Sequence, residues 1–79
     1  MSVSVNLSTT LRNFVPDYQP SLGLTLDIGA GLKASELAEK LGLPLQDIKI
    51  IMLNGKRVEP EAQVADGDRV GFFPAVGGG

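Results

Sequence analysis

The stretch IKIIMLNGKRV, residues Ile48 to Val58, decides the fold of this chain. Asn54-Gly55 between two apolar runs is the strongest short-range signal for a β-hairpin with a two-residue type I′ turn. A loop of that length also sets the register of the two strands it joins. The predicted pairs are Leu53 with Lys56, Met52 with Arg57, and Ile51 with Val58.

Two segments upstream also have the pattern of strands. Ser2 to Ser8 and Leu22 to Ile28 each alternate between apolar and other side chains, which predicts half-buried strands. The polar, proline-containing segment Thr9 to Pro20 lies between them, and we expect a loop there. The residues expected to face or tuck into the core are Val3, Val5, Leu7, Leu11, Phe14, Val15, Tyr18, Leu22, Leu24, Leu26 and Ile28.

A short helix is predicted ahead of the hairpin, because four apolar residues follow the spacing of one helical stripe. Gly42 stands where a helix commonly ends in the left-handed conformation. The start is less well defined, since Lys33 occupies the position where a Ser or Asp cap would be usual. The apolar stripe consists of Ala34, Leu37, Ala38 and Leu41.

The outer face of the sheet is expected to carry an apolar patch. Arg57 belongs in water, so Met52 shares its face, and the two-residue period extends that face along the strand. In the last strand, Arg69 outward places Val70 and Phe72 inward and Phe73 outward. We expect this patch to be a docking surface, although its residues could also be single surface apolars or be covered by residues 9–20. Its members are Ile48, Ile50, Met52 and Phe73.

The composition restricts the possible functions. The 79 residues are 43% hydrophobic and 20% charged, which suits one small folded domain. The absence of Cys and His excludes a Cys nucleophile, a Ser-His triad and a His-based zinc site. The net charge is −2 and the basic residues are scattered, so we expect neither nucleic acid nor a membrane as a partner. Without a leader pattern or a long apolar run, we expect a soluble cytoplasmic protein.

Three weaker signals have plainer explanations. Gly29 to Ala34 fits the G-x-G-x-x-A dinucleotide fingerprint, but the helix is short and the chain cannot hold a doubly wound sheet. Asp66-Gly67-Asp68 lacks the other ligands of a calcium loop and is expected to be a tight turn. Glu59, Glu61 and Asp66 surround a proline loop without an evident pocket, so we expect solvated charges rather than acid–base catalysts.

The sequence ends in Gly77-Gly78-Gly79 directly after the last apolar strand. Glycine lacks a Cβ, so such an end is thin and sterically open around its carboxylate. It could be a flexible tail without a role. It could also be threaded into the active site of another protein.

The order of elements, with one main helix packed on a mixed sheet, indicates an α+β fold of the β-grasp (ubiquitin-like) type. Several segments resemble the MoaD/ThiS family of sulfur carriers, which are the molybdopterin-synthase small subunits and the thiamine-biosynthesis carriers. Leu11 to Phe14 is similar to the first-loop segment of the molybdopterin branch. The segments that carry the family resemblance are Asn54 to Val58, Val64 to Val70 and Phe72 to Gly79.

The resemblance implies a carrier rather than an enzyme. It implies that a ubiquitin-activating-type enzyme uses ATP to adenylate Gly79, and that a sulfur donor then converts Gly79 to a thiocarboxylate. The sulfur, carried covalently, would pass to the large subunit of a synthase, and the carrier would bind no cofactor and be a monomer when free. Residues 1–74 would be the β-grasp domain and residues 75–79 the flexible tail. Beyond Gly79, the implied tail and partner-contacting residues are Gly77, Gly78, Ile48, Ile50, Met52, Arg57, Phe73, Pro74, Ala75 and Val76.

The branch of the family stays open at this point. Phe72-Phe73-Pro74 and the long first loop favour the molybdopterin (or tungstopterin) carriers, whereas the Val-Gly-Gly-Gly ending also resembles the thiamine carriers. A ubiquitin-like modifier joined to other proteins through Gly79 is an alternative. So is a plain β-grasp interaction module with an inert tail.

Overall fold

The computed structural model describes residues 2–16, 18–19 and 21–74. They form seven strands, one α-helix and two short 3₁₀ helices. The α-helix, α1, spans Ala34–Lys40, and the 3₁₀ helices span Thr9–Phe14 and Leu45–Asp47. The strands are β1 (Ser2–Leu7), β2 (Leu24–Asp27), β3 (Leu32–Lys33), β4 (Ile48–Leu53), β5 (Lys56–Val58), β6 (Gln63–Val64) and β7 (Arg69–Pro74).

Five of the strands make one mixed sheet in the order β2-β1-β7-β4-β5. The neighbours β1 and β7 are parallel, and the other neighbouring strands are antiparallel. The short strands β3 and β6 pair separately. This arrangement confirms the expected β-grasp fold, although the sequence reading did not include β3 and β6 as a second sheet.

The core lies between one face of this sheet and α1. Strand β1 alternates strictly between exposed and buried residues, as its sequence predicts. Phe72 on β7 is the largest of the fully buried side chains. The buried apolar residues are Val3, Val5, Leu7, Leu11, Ile28, Ala34, Leu37, Ala38, Leu43, Ile51, Val64, Val70 and Phe72.

The hairpin has the predicted turn and register. Asn54 and Gly55 both have positive φ, 52° and 85°, as a type I′ turn requires. The observed partners are Ile51 with Val58, Met52 with Arg57, and Leu53 with Lys56. Both hairpin predictions are therefore confirmed.

The ends of α1 are also as expected. At the start, where Lys33 cannot cap, the Glu36 carboxylate accepts a 2.8 Å hydrogen bond from the Lys33 backbone N–H. At the end, Gly42 has φ 77°, and the N–H of Leu43 donates to the carbonyl of Ala38 at 2.9 Å. Leu43 then enters the core, so the left-handed glycine both ends the helix and redirects the chain.

Two sequence predictions about buried residues are wrong. Leu22 is 78% exposed, because it lies in a turn in which the N–H of Gly23 donates to the carbonyl of Gln19 at 2.8 Å, and β2 begins only at Leu24. Phe14 is 43% exposed at the end of the first 3₁₀ helix, whereas Leu11 of the same helix is fully buried. That segment was expected to be a loop. Leu11 is buried in the core, and Val15 and Tyr18 of the same segment pack against it, as expected.

Side chains from the same region complete the end of β1. The N–H of Leu7 donates to the Tyr18 hydroxyl at 2.9 Å, and the Arg12 Nε donates to the Leu7 carbonyl at 2.8 Å. The Arg12 guanidinium also lies over the Tyr18 ring, 5.9 Å from its centroid. Since β1 runs beyond its pairing with β2, which ends at Leu24, these two side chains supply the partners that the neighbouring strand does not.

Candidate functional site

The outer face of β7, β4 and β5 carries the candidate site. Met52 pairs with Gly71 on one side and with Arg57 on the other, so these three residues form one row across the sheet. Ile50 pairs with Phe73 in the next row. We call Ile50, Met52 and Phe73 the outer patch. They are the members of the expected docking surface that lie on this face.

Ile48 does not belong to the outer patch, which corrects the sequence prediction. Ile48 pairs with Pro74 and Ile50 pairs with Phe73, so Lys49 is an extra residue in β4 at this point. A bulge of this kind reverses the side to which the preceding residues point. Ile48 accordingly packs against the core, beside a small cavity that Ile51 also lines.

Phe73 is only 38% exposed although it points outward, because its ring lies over Gly71. A Cβ atom added to Gly71 would be 3.1 Å from Phe73 Cε1 and 3.8 Å from Met52 Cβ. Because Gly71 has no Cβ, the Phe73 ring can lie directly over its backbone. A shallow groove follows β7 past this point, lined by Asn6, Met52, Gly55, Arg69, Val70, Gly71 and Phe73.

The partner-contacting residues predicted from the sequence are only partly accounted for. Arg57 is exposed on the same face as the outer patch, and Pro74 is half-buried at the end of β7. Ala75, Val76, Gly77, Gly78 and Gly79 lie outside the described residues. Their roles remain predictions.

Hydrogen bonds between the Asn54-Gly55 turn and the turn that precedes β7 hold the hairpin to the start of β7. Asn54 donates from its backbone N–H to the Arg69 carbonyl at 2.8 Å, and its side-chain oxygen accepts from the Arg69 N–H at 2.9 Å. Asp68 Oδ1 accepts from the Asn54 side-chain amide at 3.0 Å, and Asp68 Oδ2 accepts from the Ala65 N–H at 2.8 Å. These two bonds to Asp68, of which the one from the Asn54 side-chain amide has the larger effect, lower the pKa of Asp68 below its usual range. The sequence reading used Asn54 only for its turn and did not predict this second role.

The other charged and glycine motifs have structural roles. The Asp66-Gly67-Asp68 segment is the expected turn, with Gly67 at φ 84°, and Asp66 Oδ1 accepts from the Ser2 N–H at 2.7 Å. In the glycine-rich turn before β3, Asp27 Oδ1 accepts from the Gly29 N–H at 3.0 Å, and this bond is the main cause that lowers the pKa of Asp27. Among the residues that the structure describes, no group of three His, Cys, Asp or Glu side chains could hold a metal ion.

The sequence and the fold both connect this chain to known proteins. The family model described as Mut7-C ubiquitin matches residues 1–77. The chain belongs to that ubiquitin-like family. The crystal structure of SAMP1 from Haloferax volcanii superimposes with a TM-score of 0.71 over 100% of both chains, at 17% sequence identity. At that identity the likeness concerns the fold, and it agrees with the ubiquitin-like architecture of the MoaD/ThiS type that the sequence indicated.

No curated protein matches this sequence. No helix within the described part of the chain is long and apolar enough to cross a membrane.

Proposed function

We propose that this protein is a sulfur carrier whose C-terminal Gly79 is adenylated and then converted to a thiocarboxylate. The observation that carries the proposal is the sequence Gly77-Gly78-Gly79, which begins three residues after the last strand of a ubiquitin-like fold. The proposal takes Gly79 as the carboxyl end of the working protein. The resemblance of Phe72-Phe73-Pro74 to the molybdopterin carriers supports molybdopterin synthesis as the pathway.

The chemistry explains why a bare terminus is needed. A carboxylate is a poor electrophile, so its oxygen first attacks the α-phosphorus of ATP in the active site of a partner enzyme, and pyrophosphate leaves. A donor supplying sulfur at the oxidation level of sulfide then displaces AMP from the acyl carbon. Glycines leave that carbon open to attack, because no Cβ stands beside it.

The architecture supports a division between a rigid handle and a reaching tail. Strand β7 is paired on both sides, with β1 and β4, up to Phe72, and with β4 alone as far as Pro74. Residues 75–79, if fully extended, would span about 17 Å, which is enough to enter a buried site while the domain stays outside. The outer patch lies on β7, the strand that leads to the tail, and on its neighbour β4, where it would hold the domain against its partner. The partners proposed on this basis are an adenylating enzyme of the ubiquitin-activating type and the large subunit of a sulfur-accepting synthase.

A modifier function is the second candidate, because the matching family is described as ubiquitin and the same terminus could be joined to lysines of other proteins. A thiamine-type carrier would use the same chemistry with another acceptor. The intact mass of the protein purified from its native host separates these cases. A species heavier by the replacement of one oxygen by one sulfur supports the carrier, whereas covalent adducts on other proteins support the modifier.

The terminus itself is tested by changing its length. Adding one Ala after Gly79, or deleting Gly78-Gly79, is expected to abolish thiocarboxylate formation by the adenylating enzyme with ATP and sulfide. The thermal unfolding curve should stay as in the wild type, and a protein with one Ala added before Met1 is the matched control. If the protein extended beyond Gly79 still accepts sulfur at the wild-type rate, the carrier proposal is wrong.

A further inference from the structure

The outer patch lies in a local excess of positive charge. The chain has nine acidic and seven basic residues, for a net charge of −2. The outward positions of β7, β4 and β5 nevertheless include two arginines and no acidic residue. These positions are Arg69, Gly71, Phe73, Ile50, Met52 and Arg57.

Both arginines are held in place by their backbones while their side chains are exposed. Arg57 pairs with Met52 across the hairpin, and the Arg69 backbone is bound on both its N–H and its carbonyl by Asn54. Within residues 2–16, 18–19 and 21–74, neither guanidinium takes part in an ion pair. Their charge is therefore available to a partner without the loss of an internal salt bridge.

An apolar patch beside two exposed arginines fits one kind of surface. The apolar side chains require an apolar counterpart to be buried, and a guanidinium forms its strongest contacts with carboxylates, through two parallel hydrogen bonds. A nucleic acid would satisfy the arginines but would leave Met52 and Phe73 facing phosphates. The arrangement thus favours a protein with an apolar centre and an acidic rim.

We propose that Arg57 and Arg69 direct the outer patch onto a carboxylate-rimmed apolar surface of the adenylating enzyme. This inference rests on the proposed function, because that function supplies the enzyme. The arginines act in the encounter, since charges at the rim of an interface mainly change the association rate and its dependence on salt. The apolar residues then bury the area that holds the complex together.

The test uses the full-length protein and the purified adenylating enzyme of the same organism. Stopped-flow association rates and ATP–pyrophosphate exchange are measured for wild type, Arg57→Glu, Arg69→Glu and the control Lys40→Glu. Lys40 is exposed at the end of α1, the helix that packs on the opposite face of the sheet, so it carries the same charge change away from the outer patch. Thermal unfolding of each variant shows that the fold is intact.

We expect each arginine reversal to slow association about tenfold at about 20 mM salt, and Lys40→Glu to change it less than about twofold. The difference should nearly vanish at about 1 M salt, where the screening length is about 3 Å. The neutral variants Arg57→Gln and Arg69→Gln should give intermediate rates, and the wild-type rate should itself fall with salt. These last two measurements keep the test valid if a reversal variant fails to fold.

Two results would overturn the inference in different ways. If the enzyme activates wild type but all variants associate alike and without salt dependence, the arginine proposal is wrong and the carrier function stands. If the enzyme binds neither wild type nor variants and exchanges no pyrophosphate, the proposed function fails and the inference falls with it.

Discussion

Phe72 and Phe73 are neighbours in β7 with opposite surroundings, and their replacement by alanine tests the register of the whole outer face. Phe72 is fully buried and pairs with Leu7 on one side and Ile51 on the other. Phe73 points outward, where its ring covers Gly71. The same chemical change one residue apart should therefore have very different effects on stability.

The expected magnitudes follow from the burial of the two rings. Phe72→Ala leaves a cavity in the core and should cost about 3–5 kcal/mol. Phe73 is 38% exposed, so about three-fifths of its surface is covered. At about 1.5–3 kcal/mol for complete burial of such a side chain, Phe73→Ala should cost about 1–2 kcal/mol. A chain of this size has a total stability of about 4–12 kcal/mol, so Phe72→Ala removes a large share of it.

Urea unfolding followed by circular dichroism measures both costs. In thermal unfolding, the melting temperature should fall by about 12–40 °C for Phe72→Ala and by about 4–16 °C for Phe73→Ala, at about 4–8 °C per kcal/mol. At a temperature where both variants are folded, the rate of adenylation by the partner enzyme should fall more for Phe73→Ala than for Phe72→Ala. Phe73→Ala should weaken binding to the adenylating enzyme, and Phe73→Arg should weaken it further.

Equal losses of stability for the two variants would show that the outward placement of Phe73 is wrong. A milder Phe73→Ala that binds the enzyme as wild type does would leave the register intact and remove Phe73 from the docking surface. Phe72→Leu keeps most of the core volume and replaces Phe72→Ala if the alanine variant does not fold.

Two further predictions concern a pair of glycines and a titrating carboxyl group. Gly42→Ala should cost about 1–2 kcal/mol from its positive φ alone, since a Cβ there meets nothing within 4 Å. Gly23→Ala should cost more, because its Cβ would also lie 2.9 Å from Asn6 Oδ1 and 3.2 Å from the Val5 carbonyl; urea unfolding checks the order, and equal costs would refute the close approach. Because folding lowers the pKa of Asp68, its contribution to stability is present above the unfolded value of about 3.9 and is lost as the pH falls through the folded value. As the pH falls from about 5 to about 2, Asp68→Asn should therefore lose less stability than wild type, as measured by urea titrations at about 25 °C. Parallel curves of stability against pH for the two proteins would contradict the lowered pKa of Asp68.

The features predicted correctly from the sequence depend on residues close together in the chain. The Asn54-Gly55 turn sets its own register, and the stop at Gly42 needs only the helix before it. The alternation of Ser2 to Ser8 reports burial directly. In a strand with one face packed on the core, every second side chain, such as that of Val5, points into the core. Each of these signals is complete within about ten residues.

Features were missed where distant segments meet, where a turn continues the alternation of a strand, and where a strand is too short to show a period. The bulge at Lys49 arises where β4 meets the end of β7, and nothing in the run from Ile48 to Leu53 marks it. Leu22 fits the alternation of β2 but belongs to the turn that starts at Gln19. Strands β3 and β6 have two residues each, which is too short for any period to appear. The hydrogen bond between the side chains of Asn54 and Asp68 joins residues 14 apart in the chain. Each of these residues is also typical of a turn, so the sequence gives no separate sign of the contact.

The bulge has a consequence for how the docking surface can work. With Ile48 turned to the core, β4 contributes only Ile50 and Met52 to the outer patch, and β7 contributes Phe73. The two arginines flank the patch from β5 and from the start of β7. Asn54 adds to the pairing of these three strands, because it forms the hairpin turn and also binds both backbone polar groups of Arg69. These Asn54 contacts lie at the start of β7, whereas Phe73 of the outer patch lies at the other end of the strand, next to Pro74. The position of Arg69 on the proposed surface is therefore fixed by contacts at the start of β7, and not at the end of the strand that Phe73 occupies.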